Sequence, residues 1–155
     1  MNSVDMTLKG SRQAGWQWEV TIDGAAIYRT VPLTLNDLAW SLATVQRDAE
    51  RRNPLFDEVT DDKLALLLTG YFAGEFTDVL RTSAEEQVWA KHRVAPALPT
   101  EVGMFLFLVE GAADDADRLI VADGAKTQTY HVRSGRFDAL LRDIQARLEV
   151  LQPTK

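Results

Sequence analysis

The sequence predicts an α+β domain in which a mainly antiparallel sheet of five to six strands carries about three helices. Stretches that alternate apolar and polar residues lie on either side of short turns, a pattern typical of antiparallel hairpins. Other stretches repeat apolar residues every three to four positions, as helices packed on one side do. These helices are grouped rather than interleaved with single strands, which favours α+β over α/β. At 155 residues, the chain is predicted to be one domain over 1–155, since domains commonly span about 100–200 residues.

An opening meander of three strands is predicted. Val4–Leu8 and Trp16–Ile22 alternate apolar and polar side chains, and Lys9–Gly15 is expected to form the loop between them. Asp23-Gly24 is a strong signal for a two-residue hairpin turn, so Ala25–Thr30 is predicted as the returning strand.

Three helices are predicted. Thr34 or Asn36 can cap a helix over 35–52, and Thr60 can cap a second helix that is apolar nearly all round and therefore well buried. The second helix contains Leu64, Leu66, Leu67, Leu68, Tyr71 and Phe72. Ser134 can cap the last helix, and Pro153 lies just past its end. Its apolar stripe is Phe137, Leu140, Leu141, Ile144, Leu148 and Leu151.

The longest apolar run, Val102–Val109, is predicted to be one central strand that is covered on both faces. A loop over Gly111–Asp117 should follow, then a strand over Arg118–Ala122. The Asp123-Gly124 turn leads to a more polar strand, Lys126–Arg133, nearer an edge. The sequence does not assign most of 75–101.

Composition excludes several classes of function. The net charge of −6 argues against nucleic-acid binding, which needs a basic stripe. The absence of cysteine removes disulfides, thiolate zinc sites and thiol nucleophiles. No apolar run approaches the roughly 20 residues that span a bilayer, and the polar stretch before Trp16 lacks the apolar core of a targeting segment. The expected location is the cytoplasm.

No catalytic, metal-binding or cofactor-binding motif is evident, so the protein is interpreted as a non-enzyme without cofactors. His92 and His131 have no carboxylate or second histidine at ligand spacing. The acidic triad Asp114, Asp115 and Asp117 lacks the turn glycine and closing glutamate of a calcium loop, and is interpreted as part of a solvated turn.

Trp40 is the candidate for a partner contact. At 100° per residue it lies about 160° from Leu42, nearly opposite the apolar stripe of its helix. It is either a hot spot for a protein partner or is covered by a neighbouring loop. The acidic residues around 57–62 and 114–117 either form a negative surface that captures a basic protein or are ordinary solvated positions.

A family resemblance is carried by Leu35-Asn-Asp-Leu38, Arg47-Asp48 and Asn53-Pro-Leu-Phe56. It also includes the N-terminal strand, the aromatic-rich strand Trp16–Ile22 and Asp23-Gly24 before them. The chain resembles the immunity protein 42 family, the cytosolic antidotes of bacterial polymorphic-toxin and contact-dependent inhibition systems. The likeness continues in order through the helix at Thr60-Asp-Asp, the strand over Met104–Glu110 and Arg118-Leu-Ile-Val121. It ends on Ser134-Gly-Arg-Phe-Asp138. Within this segment, Gly135-x-Phe137-Asp138 is the most characteristic local part of the resemblance.

The resemblance implies binding of a cognate toxin domain by a monomer in a 1:1 complex, with no catalytic residues. Such toxins are often nucleases with basic clefts, which an acidic protein can cover. The hypothetical toxin contacts are Trp40, Asp57, Glu58, Asp61, Asp62, Asp114, Asp115 and Asp117. The alternative function is a small-ligand or regulatory binding module with a pocket under Trp16, Trp18 and Tyr28, although the two tryptophans are better interpreted as core.

Overall fold

The computed structural model describes residues 1–45, 60–64, 66, 92–95, 98–111, 116–123 and 126–152. These residues form an α+β fold in which every strand pairing within a sheet is antiparallel. The predicted fold class is therefore confirmed. The strands do not form one sheet of five to six members, however, but divide into a sheet of four and a sheet of three.

The first sheet has the order β1-β2-β3-β4. Its strands are β1 (Val4–Ser11), β2 (Gly15–Ile22), β3 (Ala25–Thr30) and β4 (Thr100–Val102). The predicted loop over 9–15 is wrong, because Lys9 and Gly10 continue β1 and pair with Gln17 and Trp16. Only residues 12–14 lie outside the two strands, so the first hairpin is longer and more tightly connected than expected.

The turn between β2 and β3 is hydrogen-bonded to the N-terminal segment, and that segment also contacts the second sheet. Asp23 and Gly24 have φ angles of 50° and 87°, the positive values that a type I′ turn requires. The Asp23 carboxylate accepts hydrogen bonds from the Ser3 backbone N–H at 2.8 Å and from the Asn2 side chain at 3.0 Å. The Asn2 backbone N–H donates to the His131 carbonyl at 2.7 Å, so this short segment joins the first hairpin to the second sheet.

The second sheet has the order β5-β6-β7. Its strands are β5 (Phe105–Val109), β6 (Ala116–Asp123) and β7 (Lys126–Arg133). The predicted single strand over 102–109 is wrong, since the chain leaves the first sheet after Val102 and enters the second at Phe105. Gly103 makes this change possible, because its φ is 76° and a Cβ there would lie 2.6 Å from the Ile27 carbonyl oxygen.

Both faces of β5 are covered, as the sequence predicts. Leu106 and Leu108 belong to the main hydrophobic cluster with residues of the last helix. The alternation of a strand turns Phe107 to the other face, where it and Ile120 of β6 are fully buried outside that cluster. Residues 92–94 also flank β5, with the Val94 backbone N–H donating to the Leu106 carbonyl at 3.0 Å.

The first helix, α1 (Leu35–Ala43), begins as predicted and ends early. Thr34 caps it by accepting a hydrogen bond from the Asp37 backbone N–H at 3.2 Å. The predicted continuation to residue 52 is wrong at Thr44, whose hydroxyl donates to the Ser41 carbonyl at 2.6 Å. That bond occupies a helix carbonyl and closes the last turn, and residues 46–59 lie outside the described part of the chain.

The predicted second helix is described only over 61–64 and at residue 66. The Thr60 hydroxyl accepts a hydrogen bond from the Lys63 backbone N–H at 3.4 Å, in agreement with its predicted capping role. Leu64 is fully buried, but Leu66 is 67% exposed, so the expected burial on all sides is wrong at that position. The other apolar residues of this predicted helix, Leu67, Leu68, Tyr71 and Phe72, lie outside the described residues.

The last helix, α2 (Arg136–Leu151), has the predicted apolar stripe, which is buried except at Leu151. Ser134 does not cap it, contrary to the prediction. The N-cap is Gly135, with φ of 78°, and its backbone N–H donates at 3.2 Å to the carboxylate of Asp117 on β6. A side chain distant in sequence therefore replaces the local cap.

We expect Asp23→Asn to destabilise the fold at neutral pH, because asparagine keeps the turn but loses the negative charge. Hydrogen bonds from Asn2 and Ser3 hold the pKa of Asp23 below its ordinary 3.8. A pKa that is lower in the folded state stabilises the protein above the ordinary value and ceases to do so as pH falls through the folded pKa. Urea unfolding across this pH range should show the difference between variant and wild type shrinking with acid, while Asp143→Asn serves as an exposed control.

We expect Gly103→Ala to cost more free energy of unfolding than Gly24→Ala. Both glycines have positive φ, so alanine carries a similar backbone penalty of about 1–2 kcal/mol at either position. A Cβ at Gly24 meets open space, whereas one at Gly103 lies 2.6 Å from a backbone oxygen. Equal midpoints in chemical denaturation of the two variants would show that the change of sheet does not depend on close backbone contact at Gly103.

Candidate binding surface

Helix α1 presents Trp40 to solvent. Leu38 and Leu42 are fully buried on one side of the helix, while Trp40 on the other side is 75% exposed. The predicted placement opposite the apolar stripe is confirmed, and the interpretation that a neighbouring loop covers Trp40 does not hold for any loop in the described part of the chain. A large apolar side chain is thus available for contact with another molecule.

The helix that carries Trp40 is held at both ends. Besides the Thr34 cap at its start, the Asn36 side chain accepts a hydrogen bond from Gln152 at 3.2 Å. Near its other end, the Gln145 side chain donates to the Leu42 carbonyl at 2.8 Å. These contacts fix α1 against α2, so Trp40 projects from a rigid element and less conformational entropy is lost on binding.

Asp61 and Asp62 open the helical residues 61–64, and their surroundings differ. The Asp61 carboxylate lies 3.0 Å from His131 Nε2 and 3.6 Å from an Arg118 guanidinium nitrogen. Asp62 is exposed. Because Arg118 already compensates part of the Asp61 charge, Asp62 is the more available of the two carboxylates. Spacing along the sequence does not predict the contact between His131 and Asp61, because the two residues are 70 positions apart.

Trp40 and Asp61 lie on different sides of the molecule. Arg118 and His131, which hold Asp61, are cross-strand partners on β6 and β7. Their sequence neighbours Leu119 and Val132 face the main cluster that α2 covers, so Asp61 lies on the opposite face of the second sheet. Since Trp40 lies on α1, which packs against α2, Trp40 and Asp61 do not belong to one patch.

Asp117 is not a residue of a solvated loop, as the sequence had indicated. It lies within β6, is 2% exposed and accepts a hydrogen bond from the Gly135 backbone N–H. Burial raises the pKa of this carboxyl, and the nearby carboxylates Glu110 and Asp138 raise it further, against hydrogen bonds from Gly135 and Gly111. Asp117 therefore positions the start of α2 and offers no accessible surface to a partner.

The remaining predicted contacts, Asp57, Glu58, Asp114 and Asp115, lie outside the described residues. Of the acidic candidates in the described part of the chain, Asp61 and Asp62 have accessible carboxylates. The described surface thus offers two separate candidate contacts, Trp40 on α1 and the acidic start of the helical residues 61–64.

The pocket expected by the alternative interpretation does not lie under all three aromatic residues. Trp18 and Tyr28 are fully buried, with ring centroids 5.5 Å apart in an edge-to-face arrangement. Burial raises the pKa of Tyr28 to about 12, so its hydroxyl is neutral. The interpretation of Trp18 as core is confirmed, while Trp16 is only partly buried and lines an open groove.

A network of ion pairs crosses the first sheet and is not predicted by the sequence. Glu19 is only 6% exposed, and its carboxylate pairs with Arg29 at 2.9 Å and with Lys9 at 3.6 Å. Arg29 also reaches Glu101 at 3.1 Å, and the hydrogen bond from Arg29 to Glu19 is the largest cause of the raised Arg29 pKa. Alternation alone assigns Glu19 to the polar face, and only the strand register reveals its partners.

No group of three or more His, Asp or Glu side chains in the described part of the chain is arranged to hold a metal ion. None of the described helices is long and apolar enough to cross a membrane. No protein-family model, curated protein or solved structure matches the chain.

We expect Asp117→Asn and Asp23→Asn to change stability with opposite pH trends. Because burial raises the pKa of Asp117 in the folded state, its ionised form weakens folding above that pKa, and protonation relieves this cost as pH falls through it. The wild type should therefore gain stability relative to Asp117→Asn on acidification. Urea midpoints of the two proteins at neutral and mildly acidic pH measure this trend. A wild type that loses stability relative to Asp117→Asn on acidification would contradict the expectation. Asp117→Ala should be less stable than Asp117→Asn by about 0.5–1.5 kcal/mol, because alanine cannot accept the Gly135 N–H whereas the asparagine side-chain oxygen can.

Proposed function

We propose that this protein is an immunity protein that binds and neutralises a cognate toxin domain, with Trp40 as the anchor of the interface. The observation that carries the proposal is the 75% exposure of Trp40 on a helix that is otherwise locked to the core. Tryptophan is among the residues most enriched at binding hot spots, and such anchors contribute most when the presenting element is rigid.

The charge of the chain and its family resemblance support the choice of partner. A net charge of −6 favours association with a basic protein, because complementary potentials accelerate encounter. The resemblance to immunity protein 42 supplies the partner class, a toxin domain that is commonly a nuclease with a basic cleft. We therefore place the protein in the cytoplasm, as a monomer in a 1:1 complex.

Neutralisation in this proposal is steric and requires no catalysis, so the protein is not an enzyme. Exposed carboxylates such as Asp62 and Asp37 of α1 steer the approach of a basic cleft, mainly through the association rate. Trp40 then enters an apolar recess near the cleft and slows dissociation, since hot-spot contacts act largely on that rate. Substrate is excluded because the antidote covers the cleft.

The test is co-expression of the chain with the C-terminal domain of a toxin-like gene immediately upstream of its own gene. The proposal expects rescue of growth and a co-eluting complex. Trp40→Ala should then weaken binding by about 2 kcal/mol or more, roughly 30-fold in dissociation constant, mainly through faster dissociation. Asp62→Lys should instead slow association and reduce its dependence on salt. Surface plasmon resonance separates the two rates.

Matched variants make the result specific. Val150→Ala removes another exposed apolar side chain, 85% accessible near the end of α2, and should leave both rates unchanged. Asp61 is a poorer choice than Asp62 for charge reversal, because its replacement also breaks the contacts with Arg118 and His131. Absence of rescue and of a complex would reject the toxin proposal, and wild-type affinity in Trp40→Ala would remove α1 from the interface.

Binding of a small ligand is a second candidate function. It is favoured by the open groove that Trp16 lines, rather than by the buried pair of Trp18 and Tyr28.

A further inference from the structure

A groove of about 550 Å³ lies where the loop after β1 meets the start of α1 and the end of α2. Its volume is within the range of about 300–1,000 Å³ that small-molecule sites commonly have. The larger apolar side chains that line it are Trp16, Pro32, Leu33, Leu35 and Leu151. None of them belongs to the hypothetical toxin contacts, so the groove is separate from the proposed toxin interface, and the inference drawn from it deepens the second candidate function.

The walls of the groove are held in place without a ligand. The backbones of Trp16 and Leu33 exchange two hydrogen bonds, of 2.7 and 2.9 Å. On the opposite side, the hydrogen bond between Gln152 and Asn36 fixes the end of α2, which carries Leu151, to the start of α1. A preformed site binds at lower entropic cost than one that must be assembled around its ligand.

The charge of the groove is opposite to that of the whole protein. Arg12 is the one charged side chain among the described residues that line it, although the chain as a whole carries −6. No carboxylate of the described residues forms an ion pair with Arg12. The neighbouring turn is fixed by a hydrogen bond of 3.0 Å from the Ala14 backbone N–H to the Ser11 hydroxyl.

Leu151 provides a second indication that the groove is a surface for contact. It continues the apolar stripe of α2, whose other members are buried, yet it remains 41% exposed on the groove wall. An apolar body seated between Leu151 and Trp16 would remove apolar area from water. An anionic group on the same molecule could then receive charge-assisted hydrogen bonds from the guanidinium of Arg12.

From this combination we infer that the groove binds a small amphipathic anion, with its apolar body against Trp16 and Leu151 and its anionic group at Arg12. The guanidinium presents its donors in a planar fork that matches carboxylate or sulfonate oxygens. The apolar walls select for an aromatic or aliphatic body, and the single cation selects for one negative charge.

The test uses two dyes that share an aromatic body and differ in charge. They are 8-anilinonaphthalene-1-sulfonate, an anion, and N-phenyl-1-naphthylamine, its neutral counterpart. The full chain should bind the anion more tightly by fluorescence titration. Arg12→Gln should weaken binding of the anion about tenfold and leave the neutral dye unchanged, while Arg12→Lys should give an intermediate affinity, because lysine keeps the positive charge but lacks the planar fork of donors. Leu151→Ala should weaken both dyes.

Two control variants locate the binding site. Arg136→Gln changes the net charge by the same amount as Arg12→Gln, but at the far end of α2, and should not affect either dye. Trp40→Ala removes an exposed aromatic side chain that does not line the groove and should also be neutral. The inference is overturned if the anion does not bind, if both dyes bind equally, or if Arg136→Gln or Trp40→Ala reproduces the effect expected of Arg12→Gln.

Discussion

Leu106, Phe107 and Leu108 of β5 are buried one after another, so alternate side chains need cover on opposite faces of the same strand. The main cluster, with α2, covers one face. The other face holds a second buried group that includes Phe107 and Ile120. The chain leaves the first sheet after Val102, Gly103 allows the change of direction, and β5 obtains this double cover in the second sheet. A strand as apolar as β5 cannot leave either face in water without losing the free energy of burying its side chains, so both faces must be covered.

The two ends of the described chain depend on this arrangement. Asn2 pairs with β7 and also bonds to Asp23, so the first hairpin is fixed to the second sheet. At the start of α2, the buried carboxylate of Asp117 receives the Gly135 N–H. One carboxylate has a lowered pKa and the other a raised pKa, because Asp23 is hydrogen-bonded in solvent whereas Asp117 loses its solvation. The opposite pH responses of Asp23 and Asp117 therefore distinguish two contacts, that of the first hairpin with the second sheet and that of β6 with the start of α2.

The packing of α1 and α2 generates both surfaces that we assign to binding. It buries Leu38 and Leu42 and so turns Trp40 outward as an anchor for a protein partner. The same packing brings Leu151 near Trp16 and Arg12, and a groove of opposite charge to the chain results. The surfaces have different chemistry: an exposed aromatic side chain on a rigid helix suits a protein pocket, whereas a preformed groove with one cation suits a small anion.

The sequence alone determined the α+β class, the turn at Asp23-Gly24 and the outward position of Trp40, and it narrowed the cap of α1 to Thr34 or Asn36. Each depends on local chemistry or on the period of one element. Tertiary structure decided the division into two sheets, the cap that Asp117 supplies to α2 and the pairing of Asp61 with His131. These contacts join residues distant in sequence, so no local pattern encodes them. Asp117, which the sequence assigns to an acidic loop, is buried in a strand for the same reason. The strand β6 begins at Ala116 because Ala116 pairs with Arg133.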